Sequence, residues 1–396
     1  MTAKLPFSGA DILLPDTDLE KWATIACDQF TSQNEYWENV KKEAGDAASC
    51  INITLPEIYL NDEPEKRIAE INETMKRYLA EGIFTEYKDA LILVEREVTG
   101  GKLRRGLLGA FSLADYDYAK GSRPQIRPTE GTVLSRIPAR VEIRKGAALE
   151  LPHIMILMDD GGEMLIESVN TSSETLLYDF ELMLGGGRIK GWLLSDKTKE
   201  KLLSKLGELA ESCRSNDKML FAVGDGNHSL AAAKASAELI GTVEAQYALA
   251  ELVNIHSEGI AFEPIYRVVF NVDTGELIES LHKRFPDSSG RKVEYLSVEN
   301  NGTVFLDGLE ADVLQSFIDG YISQHPGAEV DYIHGEDVVR ELSLKENTVG
   351  FIFGGMDKSE LFDYVNAHGV LPRKTFSIGQ ARDKRYYLEA RVINRE

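Results

Sequence analysis

The segment Phe221-Ala222-Val223-Gly224-Asp225-Gly226-Asn227-His228-Ser229-Leu230 constrains this chain more than any other. Its apolar start reads as a strand ending at Val223. Gly224 and Gly226 admit backbone angles closed to other residues. A helix then begins at His228 or Ser229, runs through Ala231, Ala232, Ala233 and Lys234 to Leu239, and stops at Gly241. A strand that hands over to a helix through two glycines aims backbone N–H groups and the positive helix end at one point. An anion, usually phosphate, sits well there. Gly224, Gly226, Asn227, His228 and Ser229 are therefore the candidate phosphate-binding residues. Asp225 and His228 add a carboxylate and an imidazole, able to hold a metal, accept a proton or polarise a hydroxyl. The structural alternative is a plain turn with Asp225 and Asn227 as caps.

The rest of the chain alternates short strands with single helices. Pro64 and Glu65 open a helix after Asp62, carried by Ile68, Ile71, Met75 and Leu79 and stopped by Gly82. A second helix follows Ser195, with Leu202, Leu206 and Ala210 inward. Expected strands include Ala90–Glu97, Gly106–Ser112, His153–Met158, Met164–Val169, Leu176–Met183, Ile189–Leu194, Ala261–Phe270, Val349–Phe353 and Arg385–Val392. Asp159-Asp160-Gly161-Gly162 reads as a hairpin turn between two of them. Adjacent strands broken by single helices imply an α+β fold with mixed sheets. A length of 396 residues implies two lobes, 1–200 and 201–396, the boundary being set by length.

Lys plus Arg total 44 against 65 Asp plus Glu, a net charge of -21. No strong basic patch offsets it, so nucleic acid and anionic membrane are disfavoured as partners. The longest apolar runs are about five residues, against the ~20 of a bilayer crossing. No secretory signal is evident in residues 1–20. Cys27, Cys50 and Cys213 give neither a disulfide framework nor a zinc pattern. A cytoplasmic protein with a small-molecule ligand is expected, and a homodimer is compatible with the sequence. His153 and the other scattered histidines read as ordinary, and Cys27 as a buried thiol.

Asp225-Gly226-Asn227-His228 resembles the Asp-Gly-His-His-Arg signature of the family catalogued as domain of unknown function 1015. Arg105-Gly106-Leu107-Leu108-Gly109-Ala110-Phe111-Ser112 with Asp115-Tyr116, Arg127-Pro128-Thr129-Glu130-Gly131-Thr132, Pro264-Ile265-Tyr266-Arg267 and Leu371-Pro372-Arg373-Lys374-Thr375 resemble further stretches of that family, in its order. More distantly, the signature helix resembles the phosphate motif of the ParB/sulfiredoxin superfamily, which includes free-serine kinases and CTP-binding partition proteins. The resemblance implies a nucleotide such as ATP or ADP, with Mg²⁺, at the helix start. It implies Asp28 as the base on an accepting hydroxyl, beside Asp225 and His228 as catalytic residues and Asp225 as metal ligand. Glu130, Thr132, Arg127 and Arg373 are additional site candidates. Ser229 stands where the family has Arg, which removes a bidentate phosphate contact. Arg127, Arg136 or Arg373 are the residues expected to replace it. A small-molecule kinase is the leading expectation. A nucleotide-binding regulatory module without catalysis and a small-metabolite hydrolase are the alternatives.

Overall fold

Residues 247–254 alternate between two apolar layers. Leu249 packs with Ile92, Val94, Leu108 and Ala110 on one side. Ala248, Ala250 and Leu252 pack with Leu93, Leu107, Phe111 and Phe221 on the other. A strand buried on both faces must lie inside a covered sheet, and Tyr247–Asn254 does. The computed structural model describes residues 4–162, 165–286 and 289–394. In it the main sheet runs Thr175–Glu181, Arg188–Leu193, Ile92–Val98, Lys102–Ser112, Tyr247–Asn254, Met155–Met158, Phe221–Asp225, Ile126–Pro128, with Phe7–Ser8 pairing onto Lys102–Ser112. Two pairings are parallel, Phe221–Asp225 with Ile126–Pro128 and Tyr247–Asn254 with Met155–Met158. The remainder are antiparallel, so the sheet is mixed and the fold is α+β, as the strand spacing implies.

The chain divides into two units, residues 1–260 with 379–396, and residues 261–378. The boundary expected near residue 200 falls inside the helix Asp196–Ser215, which Ser195 caps through the Thr198 N–H. Length alone cannot register that the last segment returns to the first unit. There Tyr386–Tyr387 pairs with Thr24–Ile25, and Arg391–Val392 with Leu149–Glu150. The second unit has its own antiparallel sheet, in the order Asn301–Leu306, Arg291–Leu296, Thr348–Phe353, Phe262–Phe270, Glu329–His334. Its core includes Val268, Leu281, Val293, Leu314, Ile318 and Phe351.

Other expectations change in detail. The helix after Asp62 spans Pro64–Ala80, and its cap is Glu63 in the left-handed region. The strand expected at Met164–Val169 does not form across its described part, Leu165–Val169, while Met164 lies outside the described residues. Asp160 turns the chain differently from a hairpin. Its N–H donates to Asn254 Oδ1 at 3.3 Å, and its Oδ2 accepts from Leu165 N–H at 2.9 Å.

Candidate functional site

Phe221–Asp225 is a strand and Asn227–Ile240 a helix, joined by Gly226 alone. Gly226 is the N-cap at φ 80°, ψ 26°, left-handed. A Cβ there would stand 2.9 Å from Ile154 Cγ1 and 3.1 Å from Ile154 Cα, so no side chain fits without a shift. The helix starts one residue earlier than the sequence implies, which puts Asn227, His228 and Ser229 in its first turn. Amides at these positions have no partner within the helix. The N-cap makes no side-chain capping bond. Leu230, Ala231, Ala232, Ala233 and Ala237 are the buried face, and small alanines bring the helix close to the sheet.

A loop following Ile126–Pro128 closes over this turn. Thr129, 1% exposed, donates its hydroxyl to the Val223 carbonyl at 2.7 Å. Asn227 Nδ2 reaches Thr129 Oγ1 at 3.5 Å. Val133 N–H donates to His228 Nε2 at 3.1 Å. That bond commits one nitrogen of His228 to holding the loop, so His228 acts here as a clamp. Glu130 and Thr132 lie half-buried on the same loop, Thr132 against the Tyr116 hydroxyl.

Arg127 Nε donates to the Pro124 carbonyl at 3.0 Å, and burial with Arg123 nearby lowers its pKa. In register it lies opposite Ala222, two residues before Gly224. Arg373 belongs to the second unit, where it is exposed. A charge beside the turn is Lys384, whose Nζ stands 3.1 Å from Asp225 Oδ2. The other Asp225 oxygen accepts from Gly226 N–H at 3.0 Å. Both Asp225 carboxylate oxygens thus have partners. Among the described residues no three His, Cys, Asp or Glu side chains are grouped to hold a metal ion by themselves.

A cavity of about 160 Å³ joins the helix start to the N-terminal acid. Ser229, His153, Asp28, Tyr387, Cys27 and Arg140 contribute its polar wall. Ile53, Leu55, Leu149 and Leu249 are among the apolar residues opposite. Ser229 Oγ and His153 Nε2 are 3.0 Å apart. His153 Nδ1 lies 3.2 Å from the Tyr387 hydroxyl, which also contacts Cys27 Sγ at 3.0 Å. Arg140 pairs with Glu57 at the cavity edge. Burial opposes the charge of Asp28. His153, the Gln29 amide at 2.9 Å and Lys384 outweigh it, and the carboxyl is held below the usual range. Burial and the neighbouring Asp28 push the Cys27 thiol up to about 11, which suits the expectation of an inert thiol.

The structure thus gathers Asp28, Asp225, Ser229 and the Thr129–Val133 loop around one helix start. His153, Lys384 and Tyr387 belong to the site and were not readable as such. His153 follows an unremarkable Leu-Pro pair, and the other two sit over 150 residues downstream of the turn in the sequence.

The model of a family described as "Protein of unknown function (DUF1015)" matches residues 5–367. No curated protein matches the chain. Among solved structures, a free serine kinase mutant in complex with AMP is 14% identical, with a TM-score of 0.41 over 70% of this chain and 90% of that one. A mutant of the same kinase in complex with ADP gives 0.40 at 14% identity over the same shares. SbnI with C-terminal truncation from Staphylococcus aureus gives 0.35 at 10% identity, over 73% of this chain and 84% of that one.

Proposed function

We propose that this chain, which belongs to the DUF1015 family, binds a nucleotide or another phosphate ester at the Gly224–Ser229 turn and transfers a phosphoryl group to a small hydroxyl metabolite. One observation carries the reading. An uncapped helix start meets, through Ser229, a cavity that also holds a carboxylate kept ionised, Asp28, and the cation Arg140. The first-turn amides and Lys384 would hold phosphate. Asp28 would orient the accepting hydroxyl. His228 and Thr129 keep the loop on the turn. Phosphoryl transfer is chiefly positioning and charge neutralisation, which such a wall can supply.

Size favours a small acceptor. Pockets for drug-sized ligands run to ~300–1,000 Å³, so about 160 Å³ takes a small metabolite and a phosphoryl end. A nucleoside would lie outside it.

Isothermal titration with ATP, ADP and CTP, each with and without Mg²⁺, tests the binding. At least one should bind, and Lys384→Met should weaken it by about tenfold, the loss of one charge-assisted contact. Thin-layer assay with labelled nucleotide and a panel of small alcohols tests the transfer. Binding without consumption by any alcohol points to a regulatory module. No binding by any nucleotide removes the reading.

A further inference from the structure

We propose that Ser229 is a covalent nucleophile with His153 as its base, so that the phosphoryl group passes through a serine ester before reaching the acceptor. The inference rests on the phosphate reading of the turn. A serine hydroxyl is a weak nucleophile until a neighbouring base takes its proton, and that base needs a third group to orient it. All three parts are present on one cavity wall. Ser229 Oγ faces His153 Nε2 at 3.0 Å, and His153 Nδ1 faces the Tyr387 hydroxyl at 3.2 Å. Ser229 is three residues past the N-cap. Here the helix has no side-chain cap, and the hydroxyl goes to the imidazole instead.

Tyr387 is fixed in turn. It is 3% exposed, its oxygen accepts from Cys27 N–H at 3.2 Å, and its hydroxyl proton has Cys27 Sγ as a taker at 3.0 Å. With that proton on sulfur's side, the tyrosine oxygen receives Nδ1–H. The imidazole then presents bare Nε2 to the serine. Burial, Cys27 and Asp28 raise the Tyr387 pKa well above the usual value, so the hydroxyl stays neutral. The Asp28 carboxylate lines the same cavity and interacts electrostatically with His153.

In the first step Ser229 Oγ attacks the terminal phosphorus of a nucleoside triphosphate. The Oγ–P bond forms as the P–O bond to the diphosphate breaks, and that electron pair leaves with the diphosphate oxygen. The serine proton moves to His153 Nε2. In the second step the alcohol oxygen attacks the same phosphorus. The Oγ–P bond breaks, His153 returns its proton to Oγ, and the alcohol proton passes through Asp28 to solvent. The sum is triphosphate plus alcohol giving diphosphate, phosphate monoester and a proton.

The test is incubation with γ-³²P-labelled ATP, an acid quench, and mapping of the label by mass spectrometry. Wild type should carry phosphate on Ser229. Ser229→Ala should carry none while still binding ATP by titration. His153→Gln, checked for folding by circular dichroism, should label about 100-fold more slowly, the scale of a lost general base. Asp28→Asn should accumulate the phosphoenzyme and fail to discharge it to alcohol. Product formation by Ser229→Ala, or label on another residue, overturns the inference and leaves the phosphate reading standing. If ATP does not bind at all, that reading falls first. A fluorophosphonate probe then decides the nucleophile alone: labelling of Ser229 in wild type and not in His153→Gln sustains it, and no labelling overturns it.

Discussion

Two residues of the site carry conformational and electrostatic costs that can be measured directly. Gly226 sits at φ 80° against Ile154. Gly226→Ala should cost about 1–2 kcal/mol from the left-handed backbone alone, and more from the contact with Ile154, read by urea denaturation. Cys27 has its pKa raised by burial to about 11. A raised thiol pKa means that the fold favours the neutral form. Its stabilising contribution is therefore complete below the ordinary thiol value of ~8.5 and is lost as pH climbs through about 11. Iodoacetamide should accordingly modify Cys27 slowly near neutrality and rapidly only above pH ~10. Fast labelling at neutral pH, followed by mass spectrometry of the peptide, would show a thiolate and contradict the account. The carboxyl of Asp28 shifts the other way, and its contribution is lost only as pH falls below the ordinary aspartate range.

At the level of elements, the turn works because a loop is fastened to it at two points. Thr129→Val deletes the hydroxyl that serves the buried Val223 carbonyl and should cost on the order of 1–3 kcal/mol. Hydrogen exchange should then quicken across residues 129–133 and 227–229 while the central strand Tyr247–Asn254 keeps its protection. Unchanged exchange at the loop would separate it from the site. The turn itself was legible in the sequence, because strand, glycine and alanine-rich helix are local patterns. Gly226 and the helix stop at Gly241 follow from backbone sterics that any context preserves. The lysine beside Asp225 was not legible. Lys384 reaches Asp225 only because Tyr386–Tyr387 pairs with Thr24–Ile25, and such long-range pairing leaves no local trace. The lost strand at Leu165–Val169 failed for a related reason. Its apolar residues pack into the core from an irregular segment, and short apolar runs do not reveal which.

For the whole first unit, the last segment is structural. Arg385 pairs with Glu251 and Glu389 at 2.8 Å each, and all three are at most 3% exposed. Arg391 pairs with Glu150, which is 7% exposed and also holds Arg144. Gly106, in the stretch that resembles the family pattern, has no Cβ because Glu251 occupies that space at 2.3 Å. Ending the chain after residue 378 should therefore leave buried carboxylates short of a partner, at about 3–5 kcal/mol for each broken pair. Such a chain should lose cooperative unfolding of the first unit by calorimetry, whereas Arg373→Ala should not. The sequence suggested two lobes but misplaced them, since pairings between residue 24 and residue 387 outweigh the proximity along the chain from which a boundary is guessed.

The most direct measurement is a crystal grown with ADP, with the electron density inspected at the amides of Asn227, His228 and Ser229. The account predicts a phosphate within hydrogen-bonding distance of those amides, close to Lys384 and facing the cavity that holds Asp28 and His153. Density for ADP at any other surface, with neighbouring side chains closed over those three amides, would contradict it.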